Sequence, residues 1–414
     1  MIADRQNPTC RSCRAALTRT LVDLGTTPLA NSYVKVHDAA CDEAKYPLHA
    51  RVCDVCYLVQ VDDVVPPEAI FRDYAYFSSF SESWVAHAAA YATTATARLS
   101  LDSSSLVAEV ASNDGYLLQH FVKAGIPVLG VDPALDAAKA ARARGVRTTT
   151  VFFGHETAIS LRAEFGPADL IAANNVLAHV PDINDFVCGF ADLLAPGGVA
   201  TFEFPHLLNL LRLVQFDTIY HEHFSYLSLF AVEACFARAG LRVFDVEELP
   251  THGGSLRVWA CHQSDPRADE PGVNRVREAE RSFGIASPKA YEGFPVKVDA
   301  IRDGLLEFLT QAKSAGKSVA AYGAAAKGNT LLNYAGVTAN DILFVADANP
   351  AKQNTLLPGS HIPVKAPATI AVTRPDYLLI LPWNIKDEIV RETSEITQWG
   401  GKHVVAAPTL KVLS

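Results

Sequence analysis

The sequence predicts an α/β protein: a small, β-rich, zinc-binding module at the N-terminus, followed by two Rossmann-like units. Three observations predict this. Two Cys-x-x-Cys pairs, Cys10/Cys13 and Cys53/Cys56, lie near the start of the chain. From residue 105 apolar strands alternate with helices, the pattern of a doubly wound parallel sheet. Near residue 317 the same grammar returns in "KSVAAYGAAAKGNTLLNYAG" and "DILFVADANP". At 414 residues the chain is also too long for one ordinary core.

Each cysteine pair lets two thiolates reach one ion, and two such knuckles complete a tetrahedron. Four thiolates leave no open position, so the zinc would be structural. In a reducing compartment this spacing points to metal rather than to disulfides. Cys41, Cys188, Cys235 and Cys261 sit in mixed or apolar settings and read as ordinary core or surface residues. The prolines of "VVPPEAIF" end the module. The expected domains are 1–72, 73–262 and 263–414.

In the middle unit "SLVAEVASNDG" reads as a strand and turn, and "YLLQHFVKAG" as a helix closed by glycine. "IPVLGVDPA" is a second strand ending in an acid, and "LDAAKAARARG" is another helix. "ADLIAANNVLAHV", "INDFVCGFADLLAPGG" and "VATFEFP" continue the alternation. "LRVFDVEELPTHGGSLRVWACH" gives two strands joined by a glycine-containing loop, so the sheet should finish antiparallel. Residues 263–315 are charged and helical in pattern.

The two strand–helix turns differ in chemistry. "EVASNDG" is acidic, with Glu109 at the strand end and Asp114 in the turn. It would repel a phosphate and suit a cation such as S-adenosylmethionine, which carries a sulfonium and an amino group. Asp132, ending the next strand, is placed to accept ribose hydroxyls. This is the layout of class I methyltransferases, except that Ala111 stands where a glycine is usual. "YGAAAKGN" has two glycines, a lysine and no acid, and would tolerate phosphate. There Lys327 either meets a diphosphate or is a solvated lysine on a structural remnant.

The formal net charge of −9 comes with no dense basic stripe, which argues against nucleic acid as a partner. No apolar run reaches the ~18–20 residues of a membrane helix. "MIADRQNPTC" lacks the basic-then-apolar pattern of a secretion signal, so a cytoplasmic location is expected.

The motifs "EVASNDGYLL", "FFGHETA", "NNVLAHVPDINDFV", "FDTIYHEHFSYLS", "HGGSLR", "YGAAAKGN", "KQNTLLPGSHIPV" and "PWN" follow one another in this order. In this set the chain resembles, over nearly its whole length, the S-adenosylmethionine-dependent C-methyltransferases of nucleotide-linked keto-deoxysugars. The resemblance implies a zinc-binding domain, a methyltransferase domain and a C-terminal Rossmann-like domain. It implies a thymidine-diphosphate-linked 4-keto-6-deoxy sugar as substrate, in deoxysugar and antibiotic biosynthesis. Methylation is expected at C3′, with C5′ as the alternative, and a monomer is the expected state.

Methylating such a carbon requires a base, and histidine suits that role near neutral pH. The resemblance makes His223 the base, Glu222 its assistant through orientation or charge, and Tyr220 a contact to the sugar or enolate oxygen. His179 would donate to the ketone or help the base, and Tyr76 would face the substrate. Glu109, Ala111, Asn113, Gly115, Asp132, Phe153 and Asn174 are expected around the cofactor. Ser79, His252, Gly254, Lys327 and Asn384 are expected around the nucleotide sugar. Three rivals stand beside this reading. One is a metal held by His221 and His223, and another is O- or N-methylation. The third is a non-catalytic nucleotide-sugar-binding scaffold, supported only by Ala111, which a turn tolerates if φ is negative.

Overall fold

A computed structural model describes residues 8–38, 41–62, 65 and 77–413. Tyr76 lies outside the described residues.

The central unit is built on a seven-stranded sheet. Its order is Leu241–Leu249, Ser255–His262, Leu194–Pro205, Ala168–Asn174, Val107–Val110, Val128–Val131 and Thr148–Thr149. The five strands from Leu194–Pro205 onward run parallel. Ser255–His262 runs antiparallel to both neighbours, so the sheet does finish antiparallel. Every residue of Val107–Val110 is buried, as expected for a parallel strand covered by helices on both faces. The strands on either side of it, Val128–Val131 and Ala168–Asn174, are reached in opposite directions, which opens a crevice at the strands' carboxyl ends. Two capped helices flank that crevice. Ser81 accepts from the Trp84 amide to start Glu82–Leu99, and Asp182 accepts from the Asn184 and Asp185 amides to start Ile183–Leu193.

The last unit has a six-stranded sheet. Its first five strands, Val364–Lys365, Val345–Ala346, Val319–Tyr322, Tyr377–Ile380 and Lys402–Val405, are parallel, and Lys411–Val412 closes it antiparallel. Helix Pro271–Phe283 falls in the sequence range expected for this unit but packs on the central one. Val273 and Val276 join the central core, and Glu280 accepts from the Leu229 and Phe230 amides at 2.6 and 2.9 Å.

The N-terminal module touches both units. Its strands Arg19–Thr27, Tyr46–Val52 and Val59–Val61 are extended by a fourth, Ser225–Tyr226, from the central unit. Val34–Lys35 pairs with Thr355–Leu356 of the last unit. Leu21, Leu48 and Val59 share one core with the last sheet, while Cys10, Cys53 and Cys56 pack into the core of the central sheet. Among the described residues no helix is long and apolar enough to cross a membrane.

Candidate active site

The sulfur atoms of Cys10, Cys13, Cys53 and Cys56 all lie within 4.8 Å of one another. Zinc–sulfur bonds of ~2.3 Å at tetrahedral angles would set them about 3.8 Å apart, so the donor set fits zinc. Gln60 Nε2 donates to Cys10 Sγ at 3.2 Å and the Val55 amide to Cys53 Sγ at 3.4 Å. These are donors suited to thiolates. The four cysteines are the sole cluster of potential metal ligands among the described residues.

A cavity of about 690 Å³ opens where the carboxyl ends of the central strands meet the module and the last unit. Of the expected site residues, Ala111, Asn113, Asp132, Phe153, Asn174, His179, Tyr220, Glu222, His223, His252, Lys327 and Asn384 line it. Asn31 of the module lines it too.

The acidic turn is wound tightly. Ala111, Asn113 and Gly115 all have positive φ, at 59°, 48° and 80°. Alanine is therefore held in the left-handed region rather than at negative φ, at a cost of roughly 1–2 kcal/mol. Asp132 fixes the turn: Oδ2 accepts from the Asn113 amide at 2.8 Å and Oδ1 from the Ala134 amide at 2.9 Å. Each oxygen keeps a lone pair for a ligand hydroxyl. Glu109 is fully buried behind the cavity wall. Burial pushes its carboxyl well above the usual range; Tyr116 opposes this, and the charges of Asp132 and Asp114 add to it. No basic side chain forms an ion pair with Glu109 or Asp132 among the described residues. A desolvated acidic pocket of this kind fits a cationic cofactor.

Besides Glu109, three expected contacts do not reach the cavity wall. The Ser79 hydroxyl is taken by the Asp114 carboxylate and by Arg144 Nη2, the latter at 2.8 Å. Gly115 is required for packing, since a Cβ there would come within 3.0 Å of Val146. Gly254 serves the loop: φ is 111°, and a Cβ would strike Asn209 Nδ2 at 2.2 Å. Its own amide is satisfied by the Thr251 carbonyl at 2.9 Å.

His223 sits at the centre. Its Nδ1 lies 2.9 Å from the Thr218 carbonyl. A carbonyl only accepts, so Nδ1 carries the proton and Nε2 presents a lone pair. Tyr220 lies 2.8 Å from that nitrogen, with its hydroxyl donating to it. Burial drives His223 well below the ordinary histidine range; nearby His179 adds to this, the Thr218 carbonyl opposes it, and Lys327 and His252 add further. His179 Nδ1 donates to the Glu222 carbonyl at 2.9 Å, and its ring stands edge-on to His223 with centroids 4.7 Å apart. Burial lowers His179 and His252 to about 4 each. The cavity therefore holds neutral imidazoles at neutral pH.

One expectation about this segment needs correction, and one rival finds no support. Glu222 does not orient His223, because its carboxylate accepts from Asn31 Nδ2 at 2.7 Å and the Thr218 carbonyl holds the ring instead. Nor do His221 and His223 converge on a metal. His221 turns to the module, with Nε2 3.1 Å from the Pro47 carbonyl.

Several cavity residues escaped the sequence reading. Trp84 stacks on His87 with centroids 4.9 Å apart and lies 5.6 Å from the His252 ring. His87 Nε2 meets the Glu203 carboxylate at 2.9 Å, and Arg257 pairs with the same oxygen at 2.9 Å. The available signal was weak: a helix bearing Trp84 and His87 one turn apart ahead of the first strand.

Comparison with known proteins finds three matching regions in order. Residues 10–71 match a putative zinc binding domain, 84–246 a methyltransferase domain, and 250–408 a C-methyltransferase C-terminal domain. Over 405 residues the chain is 37% identical to the C-methyltransferase NovU of Streptomyces niveus, a match that covers 98% of this chain and 96% of that protein. The chain belongs to the S-adenosylmethionine-dependent C-methyltransferases with an N-terminal zinc-binding module. Among solved structures, magnesium protoporphyrin IX methyltransferase from Synechocystis PCC 6803 is 15% identical. It covers 48% of this chain and 98% of its own, with a TM-score of 0.35. The PH0226 protein of Pyrococcus horikoshii OT3 is also 15% identical, over 47% of this chain and 97% of its own, with a TM-score of 0.37. In this C-methyltransferase the acidic turn belongs to the S-adenosylmethionine domain, and the four cysteines form the structural zinc site.

Proposed function

We propose that this C-methyltransferase acts on a thymidine-diphosphate-linked 4-keto-6-deoxy sugar and adds a methyl group at C3′, in deoxysugar biosynthesis for secondary metabolites. The observation that carries the reading is the unprotonated Nε2 of His223, facing a cavity that two units and the module share. A carbon flanking a ketone becomes a nucleophile only after losing its proton. His223 Nε2 takes that proton, and the bond's electron pair moves to the ketone oxygen as an enolate. Positioned bases of this kind contribute typically ~10²–10⁴-fold. The oxygen needs donors where charge develops. Tyr220 supplies one when its hydroxyl swings from Nε2 to the substrate oxygen, and His252 and Lys327 line the same space.

S-adenosylmethionine, when bound, would supply an electrophilic methyl group for the carbon, with the neutral thioether as leaving group. Asn113, Asp132, Phe153 and Asn174 would hold it. Lys327 and Asn384, from the last unit, are positioned for the diphosphate end. A monomer is the expected working state, in a reducing cytoplasm that keeps the thiols free for zinc. C5′ also flanks the ketone and is the alternative site.

The test combines purified enzyme, S-adenosylmethionine and a panel of thymidine-diphosphate 4-keto-deoxysugars, with the new methyl placed by NMR. A methyl on C3′ is expected, and His223→Asn should cut turnover ~10²–10⁴-fold without weakening cofactor binding. A methyl on oxygen or nitrogen would sink the enolate mechanism.

A further inference from the structure

Lys327 lies near the end of "YGAAAKGN", at the start of helix Ala326–Ala335, and its side chain reaches the edge of its own unit. It lines the shared cavity, 3.1 Å from Asn384 Oδ1 and 4.9 Å above the Trp383 ring. The edge of the same indole reaches the other way. Trp383 Nε1 donates to Asp217 Oδ2 at 2.7 Å, and Asp217 belongs to the central unit, in the segment that ends at the Thr218 carbonyl beneath His223. Asp217 is 1% exposed, and among the described residues its Oδ1 has no hydrogen-bond partner. Gly253 is shaped to this wedge: a Cβ there would come 2.4 Å from Trp383 Cη2. One indole thus touches a buried carboxylate on its edge and a half-buried ammonium on its face.

We propose that Asp217 is a positioning residue that, through Trp383 and through its own charge, keeps Lys327 aimed into the cavity as a cation. A buried carboxylate is costly unless something compensates it, and a buried ammonium has the same need. The indole face gives the lysine a further, weaker partner. The titratable groups facing Lys327 among the described residues are Asp217, His223 and His252, all from the central unit; its own unit offers the Trp383 ring and the Asn384 amide. Burial pulls Lys327 below its ordinary value, and Asp217 is the charge that opposes this. Burial pushes Asp217 up to about 6, against the pull of Lys327 and the Trp383 hydrogen bond. The inference leans on the proposed function only for the anion that Lys327 meets, a diphosphate or an enolate oxygen.

The test therefore needs no sugar. Competitive acetylation of the full-length, zinc-loaded protein across a pH series, read at Lys327 by peptide mass spectrometry, gives the lysine's titration midpoint. Asp217→Asn should move it down by about one unit or more, which is about tenfold more labelling at a fixed pH below the midpoint. Trp383→Phe keeps the ring face and loses the N–H donor, and should move it in the same direction by less. In assays with a turned-over sugar, the alkaline limb of kcat/KM should shift down in parallel. S-adenosylmethionine titration, which neither change should alter, reports folding. An unmoved midpoint in a variant that binds cofactor normally overturns the proposal, whatever the NMR assay says of the sugar. If Asp217→Asn fails to fold, an unmoved midpoint in Trp383→Phe does the same.

Discussion

The two Rossmann-like turns share a backbone device and differ in what lies above it. In the first, Asp132 accepts from the Asn113 amide at 2.8 Å and the Ala134 amide at 2.9 Å. In the second, Asp347 accepts from the Ala324 and Asn349 amides, both at 2.8 Å. Above Asp132 the space is open and forms the cavity. Above Asp347 it is filled. The Ala324 carbonyl takes the Tyr33 hydroxyl at 2.5 Å and Lys352 Nζ at 2.7 Å, and Pro382 crowds Gly323. A strand–turn–helix is therefore only a frame, and binding depends on whether its mouth is left clear. The closed unit contributes by sending Lys327 and Asn384 across to the open one.

The largest expected effect comes from breaking what holds the two turns together. Small zinc modules draw ~10–16 kcal/mol of apparent folding energy from the metal. Stripping the zinc with a chelator should melt the module that both cores share and abolish cofactor binding and turnover. Thermal melting beside metal analysis checks this, and an unchanged melt after loss of zinc would show the module to be dispensable. The matched pair Asp132→Ala and Asp347→Ala sharpens the contrast directly. Each leaves buried amides unpaired, at roughly 1–3 kcal/mol apiece. Only Asp132→Ala should raise the S-adenosylmethionine Kd, by about tenfold or more; Asp347→Ala should lower Tm and leave that Kd alone. Equal effects on Kd would erase the distinction between the turns.

The open cavity should also show in the pH dependence of stability. His179 and His252 fall to about 4 in the folded chain, against about 6.5 unfolded. Between these values the unfolded chain binds more protons, so stability is full above about 6.5 and drops as the pH falls toward about 4. Melting curves across that window should flatten in His179→Asn. The smallest effect is Ala111→Gly. Relief of the left-handed alanine and the greater freedom of the unfolded glycine nearly offset each other, so a change within about 1 kcal/mol is expected, with cofactor affinity kept. A loss of several kcal/mol would mean that the methyl group itself packs against something essential.

What the sequence revealed follows from how local each feature is. The cysteine pairs were legible because ligand reach sets their two-residue gap. Asp132 was legible because an acid ending the second strand has a fixed place in the crevice. The partner of His223 was not, since a backbone carbonyl such as that of Thr218 leaves no mark on residue identity, whereas the adjacent Glu222 invited the wrong pairing. Asn31, 191 positions from Glu222, and Glu203, 116 from His87, meet only through tertiary folding. Ser79 was expected around the nucleotide sugar, and only the folded turn brings Asp114 and Arg144 to its hydroxyl.

The short strand Ser225–Tyr226, hydrogen-bonded to Val59 and Gln60, begins two residues after His223. It makes the chain modular on paper and indivisible in practice. A gene fusion that exchanged the first domain would also reset the register of the strand that follows the proposed base, and a split at the expected domain boundaries would leave each fragment with part of an edge. Such enzymes should diversify by altering the walls of the cavity in place, with the three segments inherited as one unit.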